Sequence, residues 1–135
     1  MNKKIEALMF NHVMVGADDL PAAKRFYEAM LGELGIESGI MDTPERCRFH
    51  SSSGTFMIKK PINGASATNG NGSTVGFLAD SPEQAKAAHD AGVANGGVSC
   101  EDPPGIRERG DVRVYLAYLR DPTGNKICLV NTLES

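Results

Sequence analysis

Two stretches of the chain carry the same order of apolar and polar positions. HVMVGADDLPAAKRFYEAM begins at His12 and TVGFLADSPEQAKAAHDAG begins at Thr74. Aligned without gaps they match Val13 with Val75, Ala17 with Ala79, Asp18 with Asp80, Ala23 with Ala85, Lys24 with Lys86 and Ala29 with Ala91. Each reads as a short strand, an acidic turn and a helix. In the first, Asp19 is a suitable N-cap and Pro21 falls where a missing N–H costs little. Leu20, Ala23, Tyr27, Met30, Leu31 and Leu34 then recur at helical spacing and predict one buried face, which Gly35 ends. In the second, Ser81, Pro82 and Gln84 form a capping-box pattern. Ala85, Ala88, Ala91 and Ala94 give a small face suited to close packing on a sheet, and Gly96-Gly97 stops the helix.

Strand-like segments follow each helix. ESGIM, ERCRFHS and TFMIKKP come after the first, with SSSG as a hairpin turn; GVSCE, VRVYLAYL and KICLV come after the second, with DPTGN as the turn. Pro122 pre-sets one corner of that turn and Gly124 suits the left-handed residue after it. NGASATNGNGS, rich in Gly, Ser and Asn, reads as a flexible connector. The predicted order is β-α-β-β-β twice, an α+β class. Residues 1–135 form one domain, built of module 8–62 and module 73–133 joined by linker 63–72. Two copies are too few for a solenoid, so duplication inside one domain is the reading, with chance similarity of two strand–helix units as its alternative.

Composition narrows the partners. With 41% hydrophobic and 23% charged residues, the 135-residue chain is ordinary for a globular domain. A net charge of −3, no Trp and 6% aromatics offer neither a basic face nor stacking platforms, so no nucleic acid is expected. Cys47, Cys100 and Cys128 lack CxxC spacing and are odd in number, which points away from a disulfide framework and towards a reducing compartment. MNKKIEALMFNHVMV begins basic, but Glu6, Asn11 and His12 interrupt its apolar run, and no stretch is as long as a membrane span. The expected location is the cytoplasm, without membrane contact.

HVMVGADDLPAAKRFYEAMLGELGI, GSTVGFLADSPEQAKAAHDAG and YLRDPTGNKICLV, in that order and spacing, resemble the vicinal oxygen chelate superfamily. That superfamily includes glyoxalase I, extradiol dioxygenases and the fosfomycin and bleomycin resistance proteins. The resemblance implies paired βαβββ modules forming a curled mixed sheet around a cleft. In metal-dependent members, four positions face a divalent ion. By alignment these fall on His12, Thr74, Cys128 and, on the last strand of the first module, Ile58, or Met57 if the register slips by one. The usual Glu after the Ile is here replaced in KICLV, and a frequent His is here Thr74. One His and one Cys fall short of the three protein ligands of a catalytic zinc. No cofactor is therefore expected, His12 is the only strong ligand candidate, and a divalent metal stays open as the alternative.

The candidate chemistry rests on few residues. His12 suits an acid, base or hydrogen-bond role, or is a relic of metal-binding relatives. Cys128 reads as a buried, inert thiol more readily than as a nucleophile, since nothing basic adjoins it in sequence. Ile58, Thr74, Tyr115 and Cys128 join His12 as expected cleft-lining residues, with Tyr118 falling on the opposite face from Tyr115. Arg48 and His50 share a strand face, and His89 is expected to face solvent. Arg107, Arg109 and Arg113 in EDPPGIRERGDVR could clamp an anion, but the alternating charge favours an exposed loop. The resulting expectation is a homodimeric binder of a small organic molecule, with His12 the tentative catalytic residue should it be an enzyme. The alternatives are a metal-dependent lyase or isomerase of the glyoxalase I type, a dioxygenase-like member, or a partner-binding domain.

Overall fold

The chain opens with β1 (His12–Gly16) and α1 (Leu20–Glu33), then β2 (Ile40–Thr43), β3 (Arg46–Ser51) and β4 (Gly54–Lys59). A long connection leads to β5 (Val75–Leu78), α2 (Pro82–Ala94), β6 (Val98–Ser99), β7 (Gly105–Arg109), β8 (Val112–Arg120) and β9 (Lys126–Leu133). This is a computed structural model, and it describes residues 7–133. The basic start of the N-terminal segment read above, residues 1–6, lies outside the described residues.

The strands form two ladders. Sheet A has the order β1-β4-β3-β2; sheet B has the order β5-β9-β8-β6, with β7 also paired to β8. β1 runs parallel to β4, and β5 parallel to β9, so both modules fold alike. The helices begin as their sequences dictate. Asp19 accepts from the Ala22 amide at 3.0 Å, and Ser81 accepts from the Gln84 amide at 3.0 Å. The Gln84 side chain reaches back one residue beyond the cap, accepting from the Asp80 amide at 2.6 Å.

One core joins both modules. Leu20, Ala23, Tyr27, Met30 and Leu31 are buried as expected, and so is Phe26, which the apolar stripe had missed. Leu34 is only half-buried because it is already the C-cap residue of α1. α1 and α2 pack on each other. Phe26 needs the small face of α2 there: a methyl group on Gly92 would stand 2.6 Å from Leu119 and 3.0 Å from Phe26.

Three expectations are corrected. GIRERGDVR is not an exposed loop but most of a hairpin, because Arg107 pairs with Val114 and Arg109 with Val112. GVSCE keeps only Val98 and Ser99 as strand; the chain leaves the sheet where Glu101 takes a φ of 57°. β6 and β7 thus share one edge of β8 as an interrupted strand. The connector is also tied down. The Ala67 amide donates to Asp18 at 2.7 Å, and Ala67 sits against Gly16, where an added methyl would lie 2.9 Å from its Cβ.

Candidate functional site

Strand alternation decides which side chains meet the helices and which face away. In sheet A, Val13, Val15, Cys47, Phe49, Phe56 and Ile58 join the core. His12 pairs with Thr55, Met14 with Met57, Arg48 with Met57 and His50 with Thr55, so these residues share the opposite, outward face. In sheet B, Ala117, Leu119, Ile127 and Leu129 join the core. The outward face carries Tyr118 opposite Cys128, with Gly76 beside Cys128 on the other side.

This alternation corrects two expected cleft residues. Ile58 is 0% exposed and turned to the helices, so Met57 is the residue of that strand on the face of His12. Tyr115 also packs against the core, leaving Tyr118 as the tyrosine on the face of Cys128. Nothing in the alternation of a short strand says which face its partners will cover, and the one-residue slip flips every side chain.

A cavity of about 610 Å³ opens where the start of β1 and the β3–β4 hairpin meet β5. Its walls include His12, Leu34, Phe49, Thr55, Phe77 and Leu78. Apolar groups make up the larger part of the wall, with Asn11, His12, Thr55, the serines of the hairpin turn and Asp80 as its polar groups. Phe56 and Phe77 close its floor through an edge-to-face contact with centroids 5.1 Å apart. His12 Nδ1 lies 2.7 Å from Asn11 Oδ1, an acceptor, so Nδ1 donates and Nε2 keeps its lone pair for a ligand or a proton.

A polar row runs beside His12. His50 Nε2 accepts from the Arg48 guanidinium at 2.7 Å, so its Nδ1 donates to Thr55 Oγ1 at 3.0 Å. Arg48 Nε stands 2.7 Å from Asp42 Oδ2. Its N–H is not aimed at that oxygen and finds no acceptor, so this pairing is one of proximity and not a hydrogen bond. Arg46 forks on the same carboxylate, and the hydrogen bonds from Arg46 hold the Asp42 pKa below its ordinary range.

The remaining candidates are dispersed. Thr74 precedes β5, in the wall of a smaller pocket with Arg120 and Lys126. Cys128 is 4% exposed, and burial pushes its thiol pKa up, outweighing the neighbouring Tyr118 hydroxyl, the Ala117 backbone and the charges of Arg109 and Lys126. His89, expected in solvent, is buried: its Nε2 lies 3.0 Å from Ser99 Oγ and its Nδ1 3.0 Å from Asp90, tying α2 to β6. The sequence hinted at this only through the small face around it.

The four positions that the family resemblance assigns to a divalent ion hold an imidazole, a core or thioether side chain, a hydroxyl and a buried thiol. Among the described residues no three His, Cys, Asp or Glu side chains converge. Within one chain, this donor set falls short of a zinc, nickel or manganese centre, which calls for three or more N, O or S ligands.

The match of a family model to residues 9–129 shows that the chain belongs to the Glyoxalase/Bleomycin resistance protein/Dioxygenase superfamily. It is similar to a glyoxalase/bleomycin resistance protein from Albidiferax ferrireducens T118, with 57% identity and a TM-score of 0.86 over 90% of this chain and 97% of that one. A family enzyme from Burkholderia phytofirmans PsJN shares the fold at 20% identity, with a TM-score of 0.70 over 91% and 98% of the two chains. A glyoxalase-related enzyme from Fulvimarina pelagi does so at 17% identity and a TM-score of 0.70, over 92% and 88%. No curated protein matches the chain. Among the described residues no helix is long and apolar enough to cross a membrane.

Proposed function

We propose that the protein binds a small organic molecule in the cavity beside His12, and does so without a metal ion. The observation that carries this reading is the pairing of that cavity with an inadequate donor set. A cavity of about 610 Å³ lies within the range of small-molecule sites, and its wall combines an apolar side with polar groups that include His12 and Thr55. The free Nε2 of His12 and the Thr55 hydroxyl would orient a polar group of the guest, while Phe49 and Phe77 would hold its apolar body.

The working unit in this reading is a homodimer in the cytoplasm. Its support is the uncovered outward faces: Met14 (49% exposed) and Ile40 (53%) on sheet A, Leu78 (81%) and Val98 (65%) on sheet B. A second copy would cover such faces in a symmetric contact. Free Cys47, Cys100 and Cys128 accord with a reducing compartment. Light scattering at micromolar concentration should give twice the chain mass.

Metal content decides between this reading and glyoxalase I-type lyase chemistry. Protein purified without chelator should hold far less than one transition ion per chain. One tightly held ion per chain, lost in His12→Ala, would overturn the reading.

A further inference from the structure

We propose that the loop Asn69–Thr74, together with Arg120 and Lys126, forms a site for a small oxyanion, a phosphate or carboxylate group. A cavity of about 180 Å³ lies between them, and the two charged residues in its wall are both cations. The other walls are Asn69, Gly70, Asn71, Gly72, Ser73 and Thr74. Gly70 and Gly72 have φ angles of 61° and 96°. Left-handed residues alternating with others are the backbone pattern that turns successive N–H groups into one anion-binding concavity. The Ser73 amide donates to Gly70 at 2.8 Å, whereas the amides of Gly70, Asn71 and Gly72 have no protein acceptor among the described residues.

Charge favours the same occupant. Lys126 already has a counter-charge in Glu101 and stands 5.1 Å from the centre of the Tyr118 ring, so the open charge is that of Arg120. Arg120 is half-buried and gives one N–H to the Gly124 carbonyl at 2.8 Å, with no carboxylate partner among the described residues. A partly desolvated guanidinium lacking a counter-charge is costly, and its planar fork matches an oxyanion. Its bond to Gly124 holds it on the β8–β9 turn. The loop docks on that turn too, since a methyl on Gly124 would lie 3.5 Å from Asn69. The connector between the modules is thereby a wall of a site and not only a tether. Lys126 shares the outward sheet face with Cys128, two residues on. The oxyanion is thus either a free ion or the acidic head of an organic ligand lying along that face.

Titration of the full chain with inorganic phosphate at constant ionic strength, followed by amide and Arg side-chain nitrogen NMR, tests the site. Saturable shifts confined to Gly70, Asn71, Gly72 and Arg120 are expected. Arg120→Gln should weaken binding by about tenfold or more, the loss of a charge-assisted contact, and Lys126→Met should weaken it less. Phenyl phosphate separates the sources. Tighter binding with added shifts at Tyr118 and Cys128 marks a ligand head group, and equal affinity marks a free ion. Shifts that do not saturate, that centre on other residues, or that persist unchanged in Arg120→Gln would overturn the proposal. Such a failure would leave the cavity beside His12 untouched, since the two share no wall residue.

Discussion

The Tyr27 hydroxyl donates a 2.6 Å hydrogen bond to the carboxylate of Asp121, 94 residues further along the chain. Both are buried. Asp121 also accepts from the amides of Thr123, Gly124 and Asn125, each at 2.9 Å. Asn125 in turn donates to Asp121 at 2.9 Å and to the Gly16 carbonyl at 3.0 Å. The turn DPTGN therefore closes the β8–β9 hairpin and also clamps the second module onto β1 and α1 of the first.

Tyr27→Phe should destabilise the protein by about 1–2 kcal/mol in urea unfolding, the low end for a hydrogen bond to a buried charge, because Asp121 keeps its four N–H donors. Burial foremost, then the Asp121 charge, raises the Tyr27 pKa well above its ordinary value. The neutral phenol is thus favoured in the folded state, and its stabilisation is complete below the ordinary tyrosine pKa of about 10. It is lost as pH climbs from there towards the raised folded value. Stability measured from pH 8 to 11.5 should fall more steeply in the wild type than in Tyr27→Phe. Parallel curves would refute the buried pair.

The opposite faces of β4 predict opposite phenotypes. Ile58→Ala, in the core, should cost about 2–5 kcal/mol. Met57→Ala, on the outward face, should cost well under half of that. Equal losses would mean that the strand register differs by one.

The three thiols should separate by reactivity. Burial raises the pKa of Cys47 and of Cys128, so both stay protonated at neutral pH and react slowly. Cys100 is half-exposed. Peptide mapping after brief iodoacetamide treatment at pH 7.5 should find Cys100 alkylated first, with Cys128 reacting only on longer exposure. Rapid, selective modification of Cys128 would instead make it a nucleophile.

Much of the fold was legible in the chain because each module repeats strong local signals: the Asp19 and Ser81 caps, Pro in the first helical turn, and the glycines after each helix. The site was less legible for physical reasons. Alternation places Ile58 and Met57 on opposite faces but does not say which face a helix from elsewhere will cover. Tyr115 and Tyr118 pose the same question, settled by α2 packing on β8 and β9. Phe26 is buried where α1 meets α2 at Gly92, and His89 where α2 meets Ser99 of β6, information that neither helix carries alone. The charge alternation of Arg107, Glu108 and Arg109 is that of an exposed loop or of an edge strand, and pairing with β8 decides for the strand.

Fluorescence titration with N-phenyl-1-naphthylamine, an uncharged apolar probe, with and without EDTA, in wild type and in Leu34→Trp, tests the central reading most directly. Leu34 lines the cavity and is half-buried, so an indole there fills space without opening the core. One saturable site per chain is expected, unchanged by the chelator and lost or greatly weakened in Leu34→Trp. Binding abolished by EDTA, or binding indifferent to the filled cavity, would contradict it.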